Sequence, residues 1–160
     1  MTTAITSFSG EYRFLSNFYP STIFHVGKTY ISNEHFFQAF KATSEHDHEK
    51  VRTCSSPGEA KKIARSIDLR PDWESVKLDV MLLGLRLKFT QNYELRKRLL
   101  ATGDAHLEEG NTWGDTVWGT VNGQGQNLLG KDLMYIRDEM KKLEQIQNLE
   151  FNRGFNDYFY

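Results

Sequence analysis

The strongest constraint on the fold is a regular series of large apolar residues in the middle of the chain. After Asp72, they recur at spacings of three and four, at Trp73, Val76, Val80, Leu83 and Leu87. An α-helix places residues with these spacings on one face, and a helix with one apolar face packs that face against a core. The pattern therefore predicts a long core-facing helix with Asp72 as its N-cap.

Further helices are predicted on both sides of this segment. Ser32 or Asn33 caps a helix that runs to about Ser44, and Ser56 with Pro57 opens a helix over residues 58–66. Shorter helical stretches are predicted at residues 49–54 and 94–101, and a last long helix at residues 127–143. Short runs of β-branched and aromatic residues predict strands at residues 5–8 and 22–26. The glycine-rich residues 102–126 are predicted to form a long loop.

Length and composition indicate one domain with an ordinary soluble surface. The chain has 160 residues, 39% hydrophobic and 26% charged, and a formal net charge of −1. This charge argues against a large binding surface for duplex nucleic acid or anionic membrane. The single cysteine, Cys54, excludes an internal disulfide and a cysteine metal cage. We therefore expect a cytoplasmic protein without a secretion signal or membrane span.

A narrow polar seam on the Ser32 helix is the first candidate site. At 100° per residue, Glu34, Gln38 and Lys41 lie on one side, while Phe36 and Phe40 lie on the other. A solvated helix face is usually wider, so this carboxylate, amide and ammonium seam suggests a pocket wall. An exposed Glu–Lys edge explains the same spacing equally well.

The loop over residues 113–127 is the second candidate site. Trp113 and Trp118 offer flat faces on which a base can stack, Asp115 offers a carboxylate, and backbone amides ahead of a helix can hold an anion. The alternative, which the sequence by itself favours, is a loop pinned to the core by its two tryptophans.

Two other motifs are set aside. Residues 125–131 have the spacing of a P-loop, but Asp132 replaces the magnesium-binding hydroxyl residue and no apolar strand precedes them. Residues 45–49 (EHDHE) hold several metal-ligand types, yet a solvated junction between two helices is the better interpretation. No metal site or cofactor is predicted.

Several ordered blocks of the chain resemble the NADAR (YbiA-like) family. The matching blocks are residues 10–20 (GEYRFLSNFYP), 30–42 (YISNEHFFQAFKA), 85–89 (LRLKF), 113–115 (WGD) and 123–137 (GQGQNLLGKDLMYIR). The resemblance implies a compact, mainly helical α+β domain with a few short strands, which we expect at residues 1–147 before a polar, aromatic tail at 148–160.

The resemblance also implies an N-glycosidase. Expected substrates are phosphorylated ribosylamino-pyrimidine intermediates of riboflavin biosynthesis, or ADP-ribosylated guanine in nucleic acid. The family's active-site positions fall on Glu34, Lys41, Trp113 and Asp115, with Asn17 and Lys88 expected around the pocket. Trp118 is added as a second stacking candidate.

Cleavage of a C1′–N bond explains why these residue types occur together. The reaction builds positive charge on the ribose and negative charge on the departing nitrogen, so carboxyl groups are needed on both sides. We expect Glu34 to act as acid and base, Asp115 as second carboxylate, and Lys41 as nucleophile or electrostatic stabiliser. The alternative function is a non-catalytic module that binds ADP-ribose or a nucleotide.

Overall fold

The computed structural model describes residues 3–159, apart from the side chains of residue 152 and residues 154–159. After a 3₁₀-helix at Gly10–Leu15, the elements are β1 (Pro20–His25), β2 (Lys28–Ser32), α1 (Asn33–Ala39), α2 (Glu45–Arg52), α3 (Pro57–Ala64), α4 (Trp73–Gln91), α5 (Tyr93–Ala101) and α6 (Leu128–Phe159). Within the described part, the fold is mainly helical with one two-stranded sheet. The predicted α+β fold class is confirmed.

The sheet is an antiparallel hairpin that closes through Val26 and Gly27. Both residues have positive φ, 46° and 74°, which matches the twist of a two-residue hairpin turn. The hairpin buries Ile23 and Tyr30 on its inner face. The strand predicted at residues 5–8 is wrong, because Ile5 forms only one isolated parallel bridge to Leu107 before the chain turns away.

The predicted N-caps of two short helices are confirmed, whereas some predicted helix boundaries are wrong. Ser32 accepts the His35 N–H at the start of α1, and Ser56 accepts the Glu59 N–H at the start of α3. However, α1 ends at Ala39 instead of near Ser44, because tight turns continue the chain there. The expected junction at residues 45–49 is instead the first part of α2, which begins earlier than predicted.

Helix α4 is the central element and carries α1 on one side. Its buried face includes Trp73, Met81, Leu85 and Phe89. A Cβ atom added at Gly84 would lie 2.0 Å from the Asn33 Oδ1 atom, so glycine permits the close approach of α1. The expected side-chain cap by Asp72 is wrong, because that carboxylate pairs with Arg70 Nε and Nη2 at 2.6 and 2.8 Å.

Helix α6 is much longer than predicted. It runs from Leu128 to Phe159 instead of ending at Leu143, because residues 144–151 contain good helix formers and no proline or glycine. Its first four turns bury Leu129, Leu133, Ile136 and Met140. The backbone of residues 148–159 continues this helix, whereas residue 160 lies outside the described residues. None of the helices in residues 3–159 combines the length and apolarity needed to cross a bilayer.

Candidate active site

A cavity of about 520 Å³ lies where the α1 helix, the segment after the 3₁₀-helix, α3, α4 and the loop before α6 meet. Six charged side chains line it: Arg13, Glu34, Lys41, Lys61, Glu109 and Asp115. Its aromatic lining residues are Phe18, Phe37, Trp113 and Trp118. The two candidate segments of the sequence, far apart along the chain, therefore contribute to one cavity.

Glu34 lies in the first turn of α1 with 6% of its surface exposed. Its backbone N–H donates to the Asn17 carbonyl at 3.0 Å, and its Oε1 accepts from Gln38 Nε2 at 2.7 Å. Burial raises the pKa of Glu34, while the Gln38 hydrogen bond and the ammonium groups of Lys61 and Lys41 oppose that shift. The predicted seam is thus a pocket wall, and the exposed Glu–Lys edge is wrong.

Gln38 has one polar atom that the protein leaves unpaired. Its Nε2 is used by Glu34, but its buried Oε1 has no hydrogen-bond partner among the described residues. Because Gln38 lines the cavity, this oxygen can accept a hydrogen bond from a hydroxyl or amine of a ligand.

Lys41 follows the end of α1 and reaches the same cavity across two aromatic rings. Its Nζ lies 5.5 Å from the centroid of Phe37 and 5.6 Å from that of Trp73. Burial lowers the pKa of Lys41, and Lys61 and Arg65 contribute in the same direction, while Glu34 opposes the shift. The neutral amine is therefore more accessible than in an exposed lysine, as nucleophilic chemistry requires.

Asp115 is held in a turn built from its own neighbours. Its Oδ1 accepts the N–H groups of Val117 and Trp118 at 3.0 and 2.9 Å, and its backbone N–H donates to Asn111 Oδ1 at 3.0 Å. Asn111 Nδ2 returns a bond to the Asp115 carbonyl at 2.7 Å. These contacts fix the carboxylate at the cavity wall without using its Oδ2 atom.

The two tryptophans have different environments. Trp113 is 65% exposed at the cavity, where its ring is open to a planar ligand. Trp118 is half-buried and packs edge-on against Phe37, with ring centroids 5.4 Å apart. The expected anion site at the start of α6 has no support, since the N–H groups of Asn127, Leu128 and Leu129 already donate to loop carbonyls.

Asn17 and Lys88 were both expected around the pocket, and only Asn17 lines it. Its Oδ1 accepts from Asn33 Nδ2 at 2.8 Å. Lys88 is fully buried and donates from Nζ to the carbonyls of Phe14 and Ser16 at 2.7 and 3.0 Å. Burial lowers the pKa of Lys88 to about 7. Lys88 therefore fixes the segment behind the cavity, and direct contact with substrate has no support in this geometry.

Three charged lining residues were missed by the sequence analysis: Arg13, Lys61 and Glu109. Burial, followed by the charges of Asp115 and Glu34, raises the pKa of Glu109 to about 7. One weak sequence signal existed, because an extended chain places Glu109 on the same side as buried Leu107, two residues earlier. Arg13 and Lys61 occur in segments whose patterns gave no sign of a pocket.

Comparison with known proteins identifies the family of the chain. A NADAR domain model matches residues 6–141. N-glycosidase YbiA of Shigella boydii is 45% identical over 137 residues, which cover 84% of this chain and 85% of that protein. A riboflavin biosynthesis protein of Vibrio vulnificus is 38% identical over 132 residues, which cover 81% of this chain and 36% of that protein. The NMR structure of E. coli YbiA superposes with a TM-score of 0.81 at 42% identity, covering 90% of this chain and 88% of that chain.

These relatives also bear on the class of reaction. Proteins from Nostoc punctiforme and a mimivirus, each 37% identical to this chain, are likewise named N-glycosidases. The prediction of a hydrolase of N-glycosyl compounds is therefore confirmed. The family model covers most of the chain, and the fold and the sequence agree with it over the same residues. The chain belongs to the NADAR domain family.

Proposed function

We propose that this enzyme hydrolyses the bond between ribose C1′ and the attached nitrogen in phosphorylated ribosylamino-pyrimidines, the intermediates of riboflavin biosynthesis. The observation that carries the proposal is the meeting of Glu34, Lys41 and Asp115 in one cavity, where Glu34 and Lys41 are partly or wholly buried. Two carboxyl groups and an amine of lowered pKa are the groups that C1′–N cleavage needs. The name of the Vibrio relative supports the choice of pathway.

The three groups divide the work as follows. Glu34 exchanges protons with the reacting groups, because its raised pKa lets it hold a proton nearer to neutral pH. Asp115 stabilises the positive charge that develops on the ribose ring. Lys41 attacks C1′ as a neutral amine or stabilises charge as an ammonium, and its lowered pKa favours the first role.

The remaining lining residues suit a small phosphorylated substrate. Arg13 and Lys61 supply positive charge for a phosphate, and Trp113 supplies an exposed ring for a planar base. The cavity volume of about 520 Å³ is typical of sites for nucleotide-sized molecules. A non-catalytic nucleotide-binding module gains nothing from three carboxyl groups beside a phosphorylated ligand, which argues against that alternative.

The test is release of product from the two substrate classes. Purified enzyme and the Glu34→Gln variant are incubated with a phosphorylated ribosylamino-pyrimidine and, separately, with ADP-ribosylated DNA. We expect free ribose phosphate and base from the first substrate with the wild type only. Release of ADP-ribose from the second substrate alone would reassign the enzyme to modified guanine. Ligand binding without release from either substrate would establish a binding module instead.

A further inference from the structure

Glu109 is a third carboxyl group in the cavity, and the mechanism above gives it no role. Its backbone is fixed on both sides: its N–H donates to Asn127 Oδ1 at 3.1 Å, and its carbonyl accepts the Thr120 N–H at 2.9 Å. A Cβ atom added at Gly119 would lie 2.2 Å from that carbonyl oxygen, so the loop segments around Glu109 and Gly119 are in close contact. The loop therefore holds the Glu109 side chain at a defined place on the cavity wall.

No structural contact accounts for the Glu109 carboxyl. Within residues 3–159, no hydrogen-bond donor or ion-pair partner reaches its carboxyl oxygens. By contrast, Glu34 accepts a hydrogen bond from Gln38, and Asp115 accepts two from backbone N–H groups. Hydrogen bonds from N–H groups stabilise negative charge on a carboxyl, so Glu109 has the least support for its ionised form.

Most of the charges around Glu109 also disfavour its ionised form. Asp115 and Glu34 both lie close enough to repel a charge on it, and only Lys61 acts in the opposite direction. Burial is the largest cause and places its pKa at about 7. A carboxyl with this pKa keeps its proton at neutral pH about half of the time, which suits a group that must donate one. Glu109 is half-buried at the cavity wall, and a carboxyl with a raised pKa in a cavity is typical of a functional site.

We propose that Glu109 is the general acid that protonates the departing nitrogen. The inference rests on the proposed N-glycosidase activity. The C1′–N bond breaks with its electron pair moving to nitrogen, and the Glu109 proton is transferred to that nitrogen. The oxygen of a water molecule then bonds to C1′, and where Lys41 has attacked C1′ the C1′–Nζ bond breaks and releases the neutral amine. The proton of that water molecule is taken by the ionised Glu34. The products are the free base with a new N–H bond and the sugar with a C1′ hydroxyl, and solvent exchange restores both carboxyl groups.

The neighbouring Glu108 provides a matched control. It carries the same side chain one position away, but its carboxylate accepts a hydrogen bond from the Thr120 hydroxyl and lies 3.7 Å from His106 Nε2. It does not line the cavity. The variants Glu109→Gln, Glu109→Asp and Glu108→Gln are therefore compared with the wild type, with kcat/KM for the ribosylamino-pyrimidine measured between about pH 5 and pH 9.

In the wild type, we expect kcat/KM to fall above about pH 7 as Glu109 loses its proton. Glu109→Gln should lose about 10² to 10⁴ in kcat/KM and no longer show that fall. Glu109→Asp should keep the fall at reduced activity, and Glu108→Gln should match the wild type. A Glu109→Gln enzyme that keeps the wild-type rate or the same pH dependence would overturn this proposal alone. A wild type that releases no base would instead refute the proposed function, and this role with it.

Discussion

The Glu109→Gln substitution should make the protein more stable above about pH 4.5, with most of the gain present by neutral pH. Glutamine has nearly the size of protonated glutamic acid and cannot ionise. The carboxyl of Glu109 is mostly buried, and its pKa is raised from the usual 4.5 to about 7. Folding therefore favours the protonated form, which the substitution imitates permanently.

The sign and size follow from linkage between protonation and folding. A raised pKa in the folded state means that the stability from this group is fully present below about pH 4.5. It is lost as the pH rises through about 7. Between about pH 5 and pH 8.5, this difference in pKa corresponds to about 2 to 3 kcal/mol in the free energy of unfolding. The free energy of unfolding of Glu109→Gln, relative to that of the wild type, should therefore rise by about 2 to 3 kcal/mol between about pH 5 and pH 8.5.

Urea unfolding of the wild type, Glu109→Gln and Glu108→Gln at about pH 5 and about pH 8.5 measures this difference in stability directly. The contributions of other titrating groups cancel largely when the two proteins are compared at each pH. Glu108→Gln keeps an amide oxygen that can accept from the Thr120 hydroxyl and loses only the negative charge, so it should be destabilised by no more than about 1 kcal/mol. If Glu109→Gln and the wild type differ by the same free energy at both pH values, Glu109 is not a destabilised buried carboxyl.

Three further predictions concern the cavity. Glu34→Gln should keep the fold and lose about 10² to 10⁴ in turnover, and an undiminished turnover would remove Glu34 from the mechanism. Lys41→Arg should be inactive, and borohydride should trap a sugar adduct on Lys41 of the wild type; an active arginine variant without an adduct would exclude covalent catalysis. Trp113→Ala should weaken substrate binding by about 1 to 3 kcal/mol at unchanged melting temperature, whereas Trp118→Ala should mainly lower the melting temperature. The reverse pattern would refute the assignment of Trp113 as the stacking ring and Trp118 as the core ring.

The part of the site that the sequence predicted is the part set by local spacing. Glu34 and Gln38 are four residues apart in one helix, so the helical period alone places them side by side. Lys41 reaches the cavity although α1 ends before it, because the turn after the helix keeps it on the same side. Caps such as Ser32 and Ser56 were predictable for the same reason, since each acts on an amide three residues away.

The parts that the sequence did not predict depend on contacts between distant segments. Glu109 faces the cavity because Asn127 and Thr120 hydrogen-bond to its backbone, and no local pattern specifies those contacts. The strand expected at residues 5–8 also failed for a tertiary reason, since within residues 3–159 Ile5 pairs with Leu107 in a single isolated bridge.

The family resemblance placed Lys88 around the pocket, but the structure gives this residue a different contribution. Its ammonium group binds the carbonyls of Phe14 and Ser16, and the next residue, Asn17, accepts the backbone N–H of Glu34 through its own carbonyl. These hydrogen bonds, joined by the backbone from Ser16 to Asn17, thus connect the last turn of α4 to the first turn of α1. Because a buried amine is costly unless it is hydrogen-bonded, Lys88 and these carbonyls hold each other in place. The fully buried Lys88 therefore acts on the site through the backbone that positions Glu34.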